Sequence, residues 1–185
     1  MLRLRRAREE DRPDILAATA DVGVFTEQEV ACVDELLDVF LHKPDTHDYT
    51  FVVGCDPNDR AVGFACYGPT ALTEGTFDLY WLCVARHAQG RGLAKALLEA
   101  VRQELAPLGA RLLVAETSST PAYDVARSFY EHNGFLFKTI VPEFYRPGDD
   151  LVLYVLYLAQ EGGLAQGPSC TPQTQPTRSD QAAEK

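Results

Sequence analysis

A run of strand-prone residues, Phe77-Asp78-Leu79-Tyr80-Trp81-Leu82-Cys83-Val84, passes through the polar turn Arg86-His87-Ala88-Gln89-Gly90-Arg91-Gly92. It continues into Leu93-Ala94-Lys95-Ala96-Leu97-Leu98-Glu99-Ala100-Val101, where apolar residues at 93, 94, 97, 98, 101 and 105 recur at helical spacing. The succession reads as strand, loop and amphipathic helix. Glycines at such a junction let backbone N–H groups approach a ligand without a Cβ in the way. The first helical turn holds donors with no partner inside the helix, and its dipole is positive at that end. The junction is therefore an anion site, most often one for phosphate.

The turn matches neither common nucleotide fingerprint. A dinucleotide loop requires a third glycine where Lys95 stands, and a P-loop requires Gly-Lys-Ser/Thr. The remaining chain alternates helical and strand signals. Leu2–Arg6 reads as an edge strand rather than a signal peptide, since it has no h-region or cleavage site. Asp11 is placed to cap a short helix with Pro13 in its first turn. Thr26 and Glu29 form a capping box for a helix with Val30, Val33, Leu36, Leu37 and Phe40 on one face. Tyr49–Cys55 and Ala61–Tyr67 are strands joined by the turn Asp56-Pro57-Asn58-Asp59-Arg60, with Gly68-Pro69 closing the second. Arg111–Thr117 follows a strand and a crossover helix, so it should run parallel to the Phe77 strand. Thr120-Pro121 starts a last helix that Gly134 ends. Phe135–Ile140 and Leu151–Leu158 are the final strands, joined by an aromatic, acidic connection over 142–150. From about Gly162 the composition turns to Gly, Pro, Ser, Thr and Gln, which cannot offset ordering entropy. The expected organisation is one domain over 1–160 and a disordered tail over 161–185.

The segment Gln89-Gly90-Arg91-Gly92-Leu93-Ala94 fits Q/R-x-x-G-x-G/A and resembles the acyl-CoA pyrophosphate loop of the GNAT N-acetyltransferase superfamily. Ala126-Arg127-Ser128-Phe129-Tyr130-Glu131-His132-Asn133-Gly134-Phe135 is similar to that family's A-x-x-x-Y-x-x-x-G-F segment. The element order β-α-α-β-β-β-α-β-α-β-β is also the family's, and the resemblance covers residues 1–158. It implies an α/β (α+β) fold, a mixed central sheet of about six or seven strands flanked by about four helices. It implies acetyl-CoA as acyl donor and an amine acceptor, with direct transfer in a ternary complex. A module of the same fold that binds acyl-CoA without turnover is the alternative. A nucleotide-binding α/β domain is disfavoured by Lys95.

Carried over by motif, the resemblance implies that backbone groups of Leu82, Cys83 and Val84 bind pantetheine. It implies that the N–H groups of Gln89, Gly90, Arg91, Gly92, Leu93 and Ala94 hold the pyrophosphate. Arg91 and Arg86 are placed to add charge-assisted bonds to phosphate. Many members carry an Asn that contacts CoA where Tyr123 stands here; Ser118, Ser119 and Asp124 are available instead. Tyr130 matches the tyrosine set beside the CoA sulfur, and a phenol with pKa about 10 can protonate a thiolate of comparable basicity. A free alkylamine has a pKa near 10, so a base must take its proton or the amine must be delivered already neutral. Asp78, on a strand face counted as 78, 80, 82 and 84, is the first candidate, and Glu116 is the competitor. Phe25, Tyr80, Tyr123, Phe144 and Tyr145 are candidates for the acceptor pocket.

The net charge of −10 makes nucleic acid and anionic membranes poor partners and favours a cationic amine, whether a small molecule or a peptide. No apolar run reaches the roughly 20 residues of a membrane helix. Five scattered cysteines, mostly in apolar segments and without a CxxC pair, point to reduced core residues in a cytoplasmic protein and no metal site. Monomer and homodimer both remain open.

Overall fold

The computed structural model describes residues 3–158. The expected tail and Cys170 lie outside the described residues. Seven strands form one mixed sheet: β1 (Arg3–Arg6), β2 (Thr50–Cys55), β3 (Ala61–Pro69), β4 (Thr76–Val84), β5 (Leu112–Ser118), β6 (Leu136–Arg146) and β7 (Asp149–Tyr157). Their spatial order is β1-β2-β3-β4-β5-β7-β6. Four helices complete the fold: α1 (Arg12–Val22), α2 (Glu27–His42), α3 (Leu93–Leu105) and α4 (Asp124–His132). Among the described residues the one parallel strand pair is β4 with β5, as the intervening α3 crossover requires.

Each face of the sheet carries its own core. On one face Leu93, Leu97, Leu98, Val101 and Leu105 of α3 meet Val52, Ala65, Leu79, Leu113 and Tyr154, with Tyr130 of α4 alongside. On the other, Ile15 of α1 and Val33 and Leu37 of α2 pack against Phe51, Val53, Phe64, Cys66 and Cys83. Each fully buried leucine removes enough apolar area from water to contribute about 1.5–3 kcal/mol. The alternating pattern of β2 and β3 thus feeds two layers rather than one layer and solvent.

Leu93, the first residue of α3, sits in a hollow left by two glycines. A Cβ on Gly54 would stand 2.3 Å from Leu93 Cδ1, and one on Gly63 would stand 2.9 Å from the Cys83 carbonyl. Both strands lack side chains where the helix start approaches, so the N-terminus of α3 is drawn down onto the sheet.

The structure departs from the sequence expectations at several points. Asp11 does not cap α1. It lies in the preceding 3₁₀ turn, where its carboxylate accepts the Arg8 N–H at 2.8 Å and the Arg5 guanidinium at 2.6 Å. Strand β3 continues through Gly68 and Pro69 instead of closing there. Strand β6 runs on to Arg146, so the long connection over 142–150 is a tight turn plus a wide irregularity between Val141 and Arg146. Cys32 is exposed, unlike Cys55, Cys66 and Cys83.

The departure that matters most is a bulge in β4. Cys66 pairs with Trp81 and Tyr67 with Leu79, leaving Tyr80 as the extra residue. Residues 78, 80, 82 and 84 therefore do not share a face. Leu82 and Val84 join Leu79 on the α3 side, and Trp81 and Cys83 belong to the α1/α2 core. Asp78 alternates with Phe77 and Leu79 and so looks toward the α1/α2 side.

Candidate active site

Strands β4 and β5 pair over only three residues, Thr76 with Leu112, Phe77 with Leu113 and Asp78 with Val114. Beyond that point each strand continues with a partner on its outer side alone. β4 stays bonded to β3 as far as Val84, and β5 to β7 as far as Ser118. The pairing stops where the Tyr80 bulge begins. A bulge sharpens the local twist of its strand, which turns β4 away from its parallel neighbour. The result is a cleft through the middle of the sheet, edged by the unpaired sides of Leu79–Val84 and Ala115–Ser118.

At the open end of the cleft lies the glycine turn. Gly90 and Gly92 have φ of 72° and 79°, conformations that strain any residue bearing a Cβ. A Cβ on either would meet nothing within 4 Å, so it is backbone conformation rather than crowding that calls for glycine. The N–H groups from Gly90 to Ala94 donate to no acceptor among the described residues, and the first α3 hydrogen bond comes from Ala96 to Gly92 at 3.0 Å. Five free donors at a helix start are the anion cradle that the sequence implied.

The side chains around this cradle divide into two kinds. Arg91 is exposed and forms no ion pair among the described residues, so its guanidinium is free to meet phosphate. Gln89 is turned inward, its Nε2 donating to the Val84 carbonyl at 2.9 Å and tying the loop to the end of β4. Arg86 is committed elsewhere. Its N–H donates to Asp21 at 2.7 Å, and its Nη2 donates to the Val22 carbonyl at 2.9 Å. It thus clamps the α1–α2 connection to the cradle. Ser119, expected near the cofactor, accepts the Asp150 N–H on its hydroxyl oxygen at 2.9 Å and retains its own proton. Ser118 donates to Asp149 at 2.5 Å and so closes the β5–β7 junction.

Tyr130 projects from α4 into the aromatic cluster of Phe129, Phe135 and Tyr154, with only 8% of its surface exposed. Its hydroxyl has no hydrogen-bond partner among the described residues, yet no side-chain oxygen there is both sealed from water and unpartnered. The phenol tip therefore opens to an accessible space while its ring is locked in the core. Burial, with a smaller push from Tyr145, raises its pKa to about 12 and keeps it protonated.

On the α1/α2 side, Asp78 stands at the last pair before the cleft opens and accepts a hydrogen bond from Thr70 Oγ1 at 2.7 Å. Glu116, on β5, titrates above the usual carboxylate range through desolvation and the nearby charge of Asp78. The register sets both rival carboxylates on one face of the sheet, since Asp78 pairs with Val114 and Glu116 follows two residues on. Aromatic rings stand around them. Tyr80 meets Tyr49 edge to face at 5.3 Å, and Phe25 meets Trp81 at 5.1 Å and Tyr123 at 6.3 Å. Tyr145, paired with Phe144 at 5.1 Å, is raised to about 12 by burial and then by Glu116. Gly68 makes part of this wall possible, since a Cβ there would lie 1.9 Å from the Asp48 carbonyl and push away the loop that carries Tyr49.

Phe25, Tyr80, Tyr123, Phe144 and Tyr145 had all been singled out from the sequence; Tyr49, Trp81 and Thr70 had not. Trp81 was hidden because strand alternation, counted without the bulge, assigned it to the wrong face. A separate cavity of about 400 Å³, lined by Asp14, Asp21, Asp56, Arg60 and His87, lies under α1 and takes no part in this arrangement. Among the described residues no group of three or more His, Cys, Asp or Glu side chains is placed to hold a metal ion. None of the described helices is long and apolar enough to cross a membrane.

A family model described as an acetyltransferase (GNAT) domain matches residues 46–136. A crystal structure assigned to the GNAT acetyltransferases, from Desulfovibrio desulfuricans, is 40% identical, covering 86% of this chain and 100% of that one with a TM-score of 0.81. An N-acetyltransferase from Staphylococcus aureus is 22% identical over 86% of this chain and 99% of its own, with a TM-score of 0.67. A Salmonella typhimurium structure, solved with its cofactor acetyl-CoA, is 19% identical over 92% of this chain and 99% of its own, with a TM-score of 0.65. Among curated proteins no sequence matches significantly.

Proposed function

This chain belongs to the GNAT acetyltransferase family, and from that premise we propose that it moves an acetyl group from acetyl-CoA directly to a primary amine. The observation that carries the reading is the cleft between β4 and β5, which leads along β4 to the free amides of Gly90–Ala94; Tyr130 adds an unpartnered phenol whose tip is open to solvent. Acetyl-CoA supplies an activated thioester. The cradle fits its pyrophosphate, with Gln89, Gly90, Arg91, Gly92, Leu93 and Ala94 around it and the Arg91 charge beside it. The cleft-facing edge of Leu82, Cys83 and Val84 runs beside the pantetheine arm, and the Ser119 hydroxyl retains a proton to donate. On this reading the thioester lies beside Tyr130.

In the transfer the acceptor nitrogen forms a bond to the acetyl carbon as the carbon–sulfur bond breaks. Tyr130 gives its proton to the departing thiolate, a role suited to a phenol that burial keeps neutral. The amine's proton passes to the Asp78–Glu116 pair. Glu116, raised above the ordinary carboxylate range, is the better matched base, and Asp78, held by Thr70, sustains that elevation. A regulatory module that only binds acyl-CoA has no need of an accessible, unpartnered phenol or of a carboxylate held above its ordinary range.

The experiment mixes acetyl-CoA with a panel of primary amines and follows free thiol release, with and without Tyr130→Phe. Amine-dependent release, lowered about 10²–10⁴-fold in the variant, is expected. CoA binding without release for any amine would instead identify the binding module.

A further inference from the structure

The rings and charges around Asp78 and Glu116 also specify what kind of amine fits, and this deepening rests on the acetyl-transfer reading above. We infer that the acceptor is a small primary amine on an aromatic or bulky apolar body, without a carboxylate beside the amine. It would sit between the Tyr49–Tyr80 pair and the Phe25–Tyr123–Tyr145 wall, with its nitrogen over Asp78 and Glu116.

Three independent features meet here. The first is the walls. Tyr80, Phe144 and Tyr145 are 40%, 57% and 47% exposed, an unusual outlay of aromatic surface on a folded domain unless a ligand covers it. Rings set edge to face leave slots that accept another ring.

The second is charge. Asp78 raises Glu116, Asp48 and Asp78 act on Tyr80, and Glu29 and Asp149 act on Tyr123 and Tyr145. Among the described residues Arg146 acts on Tyr123 as a cation, and it is already paired with Asp149 at 3.3 Å. An ammonium group is welcome in such a field, whereas an amino acid's carboxylate would be repelled.

The third is Tyr130, more than nine-tenths buried, with an unpartnered hydroxyl that is open to solvent and feels Tyr145 of the wall. It marks the point where the amine must meet the thioester. Peptides are disfavoured because a bound peptide takes much of its affinity from main-chain hydrogen bonds, and these walls present rings.

The test compares kcat/KM, with acetyl-CoA saturating, for 2-phenylethylamine, phenylalanine, n-propylamine and a tripeptide with an N-terminal phenylalanine. CoA binding is measured first by calorimetry. Phenylethylamine should exceed propylamine by at least about tenfold and phenylalanine by about a hundredfold. Phe25→Ala and Tyr80→Ala should each narrow the gap to propylamine. Trp81 is the chain's one tryptophan and touches Phe25, so its emission should change as phenylethylamine is titrated in with CoA present. Equal rates with phenylalanine or propylamine, or a tripeptide that outruns phenylethylamine, overturn the inference while leaving acetyl transfer standing. Bound CoA with no turnover of any of the four overturns it as well. No heat with CoA removes the transfer reading itself.

Discussion

Tyr130 and Glu116 are both displaced from their ordinary titration, and in the direction each proposed role needs. A phenol whose folded pKa is raised from 10 to about 12 stays protonated, so its burial stabilises the fold fully below pH 10. That contribution is lost as pH rises from 10 through 12. The rate should therefore show no fall assignable to Tyr130 below pH 10, and a Tyr130-dependent descending limb near pH 8 would contradict the acid role. Glu116 is likewise raised, by desolvation and then by Asp78. The ascending limb of kcat/KM should lie above about 4.3, the usual glutamate value. Asp78→Asn removes the charge that pushes Glu116 up, so the limb should move to lower pH. Glu116→Gln should abolish it. A limb that ignores both substitutions would mean that the proton leaves by another route. The carboxylates could be read from the sequence as rivals because each is a charged residue in an otherwise apolar strand. Their shared face could not, since it depends on the register of β4 against β5.

At the scale of elements, the start of α3 and the connection between α1 and α2 are held by different devices, which substitutions can separate. The hollow at Gly54 and Gly63 seats Leu93, and with it the free amides of the first helical turn. Gly54→Ala should cost about 1–3 kcal/mol of stability through overpacking and weaken CoA binding as the helix start lifts. Calorimetry and thermal melting together check this, and a variant with native affinity would show that the seat does not set the cradle. Arg86 ties the α1–α2 connection, which carries Phe25, to the cradle loop. Arg86→Ala should raise the acceptor KM severalfold and leave CoA affinity nearly unchanged. Arg91→Ala should lose about tenfold in CoA affinity or more, the value of a charge-assisted contact. The reverse pattern would restore Arg86 to the phosphate. The glycine turn was legible because its chemistry is local, a matter of φ and helix polarity. The bulge was not, because one extra residue in β4 leaves no mark on composition and inverts every face assigned by alternation beyond it.

For the whole molecule, the cleft means that the sheet is two sheets joined over a short seam. One half, β1 to β4, is covered by α1 and α2 on one face and by α3 on the other; the second half is β5, β7 and β6. Three ladder pairs, Thr76–Asp78 against Leu112–Val114, join the halves, extended at one end by the Arg111 N–H donating to the Gly75 carbonyl at 2.7 Å. A ligand lying along the cleft takes the place of the missing ladder, so it should stiffen the join more than either half. Amides of Leu79–Val84 and Ala115–Ser118 that face the cleft should exchange hydrogen freely in the unliganded protein, since nothing across the gap accepts from them. Their neighbours bonded to β3 and β7 should be protected throughout. Adding CoA at about a hundred times its dissociation constant should raise stability by about 2.7 kcal/mol and slow exchange at the β4 cleft amides first. Slowing spread evenly over β1–β3 and α1, with none along β4, would place the ligand outside the cleft. The aromatic acceptor wall draws on five separated segments, around Phe25, Tyr49, Tyr80–Trp81, Tyr123 and Phe144–Tyr145, and exists only once both halves are assembled. Acceptor binding should therefore weaken when the seam is loosened. A double variant at Phe77 and Leu113, with both truncated to Ala, should lose acceptor affinity in larger proportion than CoA affinity, because the cradle lies wholly within one half.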